Sequence, residues 1–304
     1  MRKTQTLLQA LLAALLVGTF LSCAVVEQGL EAIPGGEKIK SQKETAVKAT
    51  QFVRQTFGDI TEEEEYYIGR TVAALILSLY PVYENNALTS YVNTLGNAVA
   101  VYSDRPETYA GYHFLILDTE EVNALSAPGG FIFISKGLMK RCRDEETLAC
   151  ILAHEIGHVS AKHGLQSIKK SRLVDAFRLL GQEAAQKYTS EQLAQLVNIF
   201  EGVLGDIVES LVEKGYDRKY EYEADKLGTI TATRTGYSAQ GLLDFLQTMA
   251  DEEGKPGLKG WFQTHPSAKD RMSRVTKEIS QLGQLPTAQT VRTSRFQTAM
   301  QNLQ

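Results

Sequence analysis

The chain lacks an excess of positive charge, since its formal net charge at pH 7 is -4 over 304 residues. Proteins that bind nucleic acids usually carry a basic patch or stripe. This charge balance therefore excludes nucleic acid as an expected partner. The length and the 43% hydrophobic content suit one large globular domain with at most a small accessory region.

Cysteine is scarce, with three in the whole chain. Cys142 and Cys150 lie eight positions apart, and Cys23 stands alone near the N-terminus. The spacing C-x-x-C is absent, which argues against a cysteine zinc site or a redox motif. We expect Cys142 and Cys150 to be small buried thiols rather than a disulfide pair.

Long apolar runs are missing after the N-terminal segment. Residues 1–22 resemble a bacterial lipoprotein signal, because Arg2 and Lys3 precede the apolar stretch 7–21 and Cys23 follows a small residue. Lipid on Cys23 would then tether the chain to a membrane. An uncleaved anchor is the alternative, since the uncharged run 4–26 is long enough to cross a bilayer. Both interpretations place the folded part in the cell envelope, outside the cytoplasm.

The remaining chain divides into a tether over residues 23–42, a main domain over 43–283 and a C-terminal tail over 284–304, without an internal repeat. A capping-box sequence at Thr61 predicts a helix that stops at Pro81. Residues 112–117 and 131–134 have strand character, with a Pro-Gly-Gly turn at 128–130 between them. We predict an α+β, mostly helical domain with a small antiparallel sheet just before the next helix.

That next helix carries the strongest chemical motif of the chain. Asp144 is a suitable cap, and His154 and His158 lie four residues apart with Glu155 directly after the first. Residues at i and i+4 share one face of a helix, so the two imidazoles can hold one metal ion. The carboxylate of Glu155 is placed to take a proton from water at that metal. This H-E-x-x-H pattern is the arrangement of zinc peptidases and predicts one Zn²⁺ per chain.

A catalytic zinc site normally has three protein ligands, so the sequence must offer a third. Glu221 is the candidate, and Asp225 lies four residues later on the same face of a predicted helix. Asp225 could then accept a hydrogen bond from the far ring nitrogen of His154. Glu223 is the rival third ligand, although helical spacing turns it to another face if Asp225 supports the site.

Taken together, these motifs resemble family forty-eight of the metallopeptidases, which are gluzincins and include the CAAX prenyl proteases. The similarity extends over about residues 61–279. The elements that carry it occur in the family's order: Asn123-Ala124, Pro128-Gly129-Gly130, the H-E-x-x-H motif followed by His163, the stretch Glu221 to Asp225, and His265-Pro266. The chain has no set of long apolar spans, so it resembles the soluble, envelope-localised branch rather than the membrane-embedded one. The fold implied is a zincin-like peptidase domain.

The resemblance also implies roles for individual residues. It gives a zinc-dependent endopeptidase with Glu155 as general base and His265 either stabilising the oxyanion or acting as a gate. It implies supporting positions around the ligands for Asp225, His163, Arg218 and Arg271, with a surface role open for the two arginines. An extended polypeptide substrate would pair with one strand by strand addition. That strand is formed by Asn123, Ala124, Leu125, Ser126 and Ala127.

Two other classes of function stay open at this point. One is a chaperone-like binding module whose protease activity is latent because His265 or the loop 254–264 covers the metal. The other is a helical scaffold without metal, which a content of about one zinc per chain would exclude. The oligomeric state, the physiological substrate and its cleavage preference do not follow from the sequence.

Overall fold

A computed structural model describes residues 60–168, 190–253, 261, 264–265, 268–301 and 303. The predicted signal segment, Cys23, the tether and most of the loop 254–264 lie outside these residues. Helix α1 (Glu62–Leu79) begins with the predicted capping box, in which Thr61 and Glu64 bond each other's backbone N–H groups. It ends at Tyr80, whose backbone is extended, as expected for the residue before a proline. Helix α2 (Asn86–Ala100) is capped by Asn85.

Three strands form one sheet in the order β1-β3-β2: β1 (His113–Leu117), β2 (Ala124–Ala127) and β3 (Phe131–Ser135). Strands β2 and β3 are antiparallel and joined by the turn Pro128–Gly130. The prediction of an antiparallel sheet is wrong for β1, which pairs with β3 in parallel. The reason is that β2 lies between them in sequence, so the chain reverses twice, once before β2 and once after it. The strand order places β2 at an edge of the sheet.

Helix α4 (Glu145–Ser160) follows a short helix α3 (Lys136–Met139) and carries the H-E-x-x-H motif. Asp144 caps it by accepting a hydrogen bond of 2.8 Å from the N–H of Thr147. All its residues before Ser160 are buried, so it is the central helix of the domain. It ends earlier than the expected position near Gly164 because Lys162 adopts a left-handed backbone conformation, with φ 57°. A short helix α5 (His163–Gln166) follows.

The second half of the described chain is helical. Helix α6 (Ser190–Val208) continues into a π-helical segment (Glu209–Lys214). The remaining helices are α7 (Arg218–Arg234), α8 (Gln240–Asp251), α9 (Ala268–Gln281) and α10 (Thr290–Met300). Mostly helical structure with a small sheet before the motif helix is thus confirmed. No helix in this described part combines the length and apolar character that crossing a bilayer requires.

Helices α4 and α7 pack closely because a glycine of each faces the other helix. A β-carbon at Gly228 would lie 2.9 Å from Cα of His154, and one at Gly157 would lie 3.1 Å from the carbonyl oxygen of Ala224. The absence of side chains at these two positions lets the backbones approach. This contact brings the motif helix and the helix of Glu221 face to face.

The segment set apart as a C-terminal tail contains α10, which contacts α2 and α4. Phe296 of α10 is 5% exposed and belongs to the hydrophobic core. Cys142 and Cys150 are free and buried, as expected. Burial raises the pKa of both thiols, so neither is a reactive thiolate.

Candidate metal centre

His154 and His158 project from one face of α4 into the interior of the domain. Their Nε2 atoms lie 3.1 Å apart, and each residue is 1% exposed. Two nitrogen ligands of one tetrahedral zinc ion, at ordinary bond lengths, lie about 3.3 Å apart. Burial lowers the pKa of His158, which favours the neutral imidazole that binds metals. The pair therefore has the geometry of two ligands of one metal ion.

Glu221 brings a carboxylate to the same point from the first turns of α7. Its Oε2 lies 3.7 Å from Nε2 of His154, and its Oε1 lies 3.4 Å from Nε2 of His158. Oε1 has no hydrogen-bond partner although Glu221 is 0% exposed. Burial by itself would raise the pKa of Glu221, but His265 and Arg271 outweigh it and hold the pKa well below its usual value. A buried, charged carboxylate that lies close to two imidazoles and has one unpartnered oxygen fits a cation.

His265 closes the cluster from the segment that precedes α9. Its Nδ1 lies 2.9 Å from Oε2 of Glu221, and its ring stacks on Trp261 at 4.3 Å between centroids. Burial would lower the pKa of His265, yet the neighbouring Glu221 raises it. The potential ligand atoms of His154, His158, Glu221 and His265 lie within 4.8 Å of one another. Two histidines and one glutamate form a known ligand set of catalytic zinc, so these residues fit the ion that the sequence predicts.

Glu155 lies beside the cluster and is 1% exposed. Its Oε1 has no hydrogen-bond partner and lies 4.0 Å from Nε2 of His265. A cavity of about 10 Å³, which is room for roughly one water molecule, borders both residues and Tyr216. A buried carboxylate with an unused oxygen at such a cavity is placed to accept a proton from water.

Each of the two candidate ligand histidines also contacts a neighbouring side chain through its second ring nitrogen. Nδ1 of His154 lies 3.0 Å from Oδ1 of Asp225, and Nδ1 of His158 lies 2.9 Å from Nδ1 of His163. Such contacts fix the tautomer and the orientation of metal-binding imidazoles. Burial, and to a smaller degree His158, lowers the pKa of His163 to about 3, so His163 is neutral.

Arg271 connects the two acidic side chains of the site and is 0% exposed. It donates hydrogen bonds of 2.8 and 2.7 Å to the oxygens of Asp225, and its Nη1 lies 3.1 Å from Oε2 of Glu221. The structure does not bring Arg218 to the site, because this residue is exposed in the first turn of α7. Glu223, the rival ligand, is also outside the cluster: its side chain is 55% exposed and lies 3.3 Å from Nε2 of His163.

Strand β2 runs beside the cluster, and its four residues are buried. The carbonyl oxygen of Ala124 lies 3.4 Å from Nε2 of His265. Asn123 accepts a hydrogen bond of 3.0 Å from Thr264, the neighbour of His265. The carbonyl oxygen of Ser126 accepts a hydrogen bond of 3.4 Å from the hydroxyl of Tyr216. The predicted substrate strand is therefore adjacent to the candidate metal centre.

Two aromatic residues of the site were missed by sequence reasoning. Tyr216 stacks on His158 with 4.4 Å between ring centroids, and Trp261 stacks on His265. For Trp261 a signal was present, since it is the only tryptophan and lies four positions before His265, the spacing of one helical turn. Tyr216 precedes α7 in a connecting segment, where periodicity carries no information about its neighbours.

The site has the arrangement of the H-E-x-x-H class of metal centres. His154 and His158 of one helix and Glu221 of a second converge next to the buried carboxylate of Glu155. Residues 86–279 match the sequence model of Peptidase family M48. The chain belongs to this family of metallopeptidases, which confirms the resemblance seen in the motifs.

Individual relatives agree with the family match. The chain is 25% identical over 229 residues to the beta-barrel assembly-enhancing protease of Yersinia pestis, an alignment covering 74% of this chain and 46% of the relative. It is 30% identical over 193 residues to the metalloprotease YcaL of Escherichia coli, covering 64% and 69%. It is 26% identical over 228 residues to the mitochondrial metalloendopeptidase OMA1 of Schizosaccharomyces pombe, covering 73% and 63%. The chain thus spans less than half of the beta-barrel assembly-enhancing protease.

Proposed function

We propose that the chain is a zinc-dependent endopeptidase in which His154, His158 and Glu221 hold one Zn²⁺. One observation carries this proposal: the Nε2 atoms of the two histidines and the Glu221 carboxylate are separated by 3.1, 3.4 and 3.7 Å in a buried pocket. These separations suit three ligands of one small cation. When bound, zinc supplies Lewis-acid chemistry that makes water more acidic and polarises a carbonyl group.

Glu155 is the proposed general base. Its unpartnered Oε1 at the small cavity would accept the proton of the attacking water and return it to the amine that leaves. His265 would donate a hydrogen bond to the oxygen of the carbonyl under attack, since its Nε2 points toward Glu155 and β2. Both side chains are buried, which favours such electrostatic contributions.

The proposed substrate is a polypeptide in an extended conformation that adds to the edge of β2. Because the four residues of this strand are buried, substrate binding requires this edge to be uncovered. An extended segment along this edge would pass directly by His265, because Ala124 already contacts that ring. Unfolded or misfolded proteins offer such segments. The similarity to a beta-barrel assembly-enhancing protease and to the metalloprotease YcaL supports a protein substrate, and we propose misfolded envelope proteins as its class.

The proposed location is the bacterial cell envelope, with a membrane tether formed by lipid on Cys23 or by an uncleaved N-terminal anchor. Metabolic labelling with palmitate distinguishes the two. A lipid tether predicts labelling that disappears in Cys23→Ala. Label retained by that variant would exclude the lipoprotein form.

The function is tested by replacing Glu155 with glutamine, which keeps size and burial but removes the base. We expect Glu155→Gln to retain about one zinc per chain and to lose about 10²–10⁴-fold of its hydrolysis of unfolded casein. Zinc content by mass spectrometry and casein cleavage by gel are the measurements. Cleavage at the rate of the unaltered protein would refute the proposal.

A second candidate is a chaperone-like binding module whose protease activity is latent. It is favoured by the contact of His265 with Glu221 and by a cavity with room for only about one water molecule. In this case the zinc-loaded protein leaves casein intact and suppresses aggregation of an unfolded envelope protein. Trapping of substrates in cells with Glu155→Gln would identify the bound polypeptides in either case.

A further inference from the structure

Glu65 differs from the acidic residues around it in the first turn of α1. Glu62, Glu63 and Glu64 are exposed, as expected where negative charge stabilises a helix N-terminus, whereas Glu65 is 0% exposed. A carboxylate taken out of water needs partners to offset its lost hydration. Glu65 is therefore not part of the solvated first turn that its three neighbours form.

The partners of Glu65 come from the turn that ends the proposed substrate strand. Its Oε1 accepts a hydrogen bond of 3.1 Å from the N–H of Gly129, which lies two residues after β2. The same oxygen accepts a bond of 2.8 Å from Nη1 of Arg105. Burial alone would lower the pKa of Arg105, but Glu65 raises it, so the guanidinium stays charged. The turn is therefore held by a charge-assisted contact.

The backbone of α1 touches this turn one helical turn later. A β-carbon at Gly69 would lie 1.8 Å from the carbonyl oxygen of Pro128, so only glycine fits there. Gly129 itself has φ 76°, and a β-carbon there would lie 2.9 Å from Cα of Tyr66 in the same helix. Glu65 and Gly69, four residues apart, thus form one docking face for the turn.

The other oxygen of Glu65 faces the end of the motif helix. Nζ of Lys162 lies 3.5 Å from Oε2 of Glu65, and Oε2 has no hydrogen-bond partner. Lys162 is the only non-glycine residue with positive φ in the described part of the chain, and it directly precedes His163, which contacts His158. One buried carboxylate therefore connects the end of β2 with the end of α4.

We propose that Glu65 is a positioning residue that sets the substrate strand β2 in register with the metal-binding helix α4. The proposal rests on the proposed function for the identity of the substrate strand. One hydrogen bond and one ion pair at the same carboxylate link strand and helix, and small displacements of a bound peptide at a reacting centre reduce catalysis steeply. Glu65 touches neither substrate nor metal.

The test uses the full chain, zinc-loaded, in the Glu155→Gln form, with Glu65→Gln added. Glutamine still accepts a hydrogen bond from Gly129, so the fold is retained while the charge is lost. Glu62→Gln is the matched control, because Glu62 contacts the same Arg105 at 3.4 Å with a side chain that is 59% exposed. Backbone hydrogen exchange and binding of fluorescein-labelled, unfolded casein are measured on three proteins: the Glu155→Gln form alone, with Glu65→Gln added, and with Glu62→Gln added.

We expect Glu65→Gln to raise hydrogen exchange over residues 124–130 and 161–166 and to weaken casein binding by about tenfold, the effect of one charge-assisted hydrogen bond. Exchange in α2 and the zinc content should not change, and Glu62→Gln should leave all readouts unaltered. Unchanged exchange over 124–130, or an equal rise in α2, would overturn the positioning role. If exchange changes locally but none of the proteins binds casein, the result supports the positioning role of Glu65 and counts against the proposed function.

Discussion

Arg271 donates hydrogen bonds to both carboxylate oxygens of Asp225, at 2.8 and 2.7 Å, and Asp225 in turn contacts His154, a candidate metal ligand. The guanidinium reaches Glu221 as well. Arg271 on α9 therefore orients two side chains. One is Asp225, which contacts His154, and the other is Glu221, a second candidate ligand. Support of this kind commonly changes metal affinity by one to two orders of magnitude.

We predict that Arg271→Lys weakens zinc binding by about 10–100-fold, because a lysine cannot reproduce the bidentate contact with Asp225. The affinity is measured by competition with a chromophoric chelator. Arg274→Lys is the control, since Arg274 lies on the exposed side of the same helix, over the ring of Tyr222. Equal affinities of the two variants would contradict the role assigned to Arg271.

Glu221 and Glu223 provide an internal comparison for the third ligand. We expect Glu221→Gln to lose most of the bound zinc at micromolar metal, because a neutral amide is a poor ligand. Glu223→Gln should keep it, since that side chain is half exposed and contacts only His163 among the site residues. Metal analysis after gel filtration is sufficient. Zinc retained in Glu221→Gln and lost in Glu223→Gln would reverse the assignment.

The motif helix was predictable because its signals are local. Helical spacing places His154 and His158 on one face, and Asp144 caps the helix, whatever the rest of the chain does. The approach of Glu221 depended on a glycine contact between two distant helices, which no local pattern contains. The sequence offered Glu221 only indirectly, through its spacing to Asp225 and through the order of the family's motifs.

The elements predicted less well depend on tertiary structure. The strand character of a segment is compatible with either parallel or antiparallel pairing. The pairing of β1 with β3 is parallel because β2, which lies between them in sequence, takes the edge position. Glu65 has the same local surroundings as its exposed neighbours. Only the arrival of Arg105 and Gly129 from later in the chain buries it.

His265 separates the two candidate functions. If it stabilises the oxyanion, His265→Ala keeps zinc and lowers kcat for casein by about 10²–10³-fold, the usual cost of losing one such donor. The rate is measured under saturating casein with zinc content determined in parallel. A rise in activity would instead show that the histidine restrains the site, as the latent module requires.

The C-terminal helix α10 is joined to the start of the motif helix by an ion pair that the sequence did not predict. Arg295 binds the carboxylate of Glu145, which is 0% exposed at its side chain and also accepts hydrogen bonds from Tyr91 and Tyr237. Half of the Arg295 side chain, 49%, remains exposed, so solvent screens part of the interaction. We therefore expect Arg295→Gln to lower the free energy of unfolding by about 2 kcal/mol, chiefly because a buried charge loses its partner.

Urea denaturation at fixed zinc concentration checks this value, because bound metal itself adds to the apparent stability. Arg234→Gln is the control: Arg234 pairs with Asp104 at 2.7 Å, but both side chains are more than half exposed. That substitution should change the free energy of unfolding by less than about 0.5 kcal/mol. If both variants lose the same free energy of unfolding, Arg295 acts as an ordinary surface charge and its ion pair with Glu145 does not stabilise the contact between α10 and the motif helix.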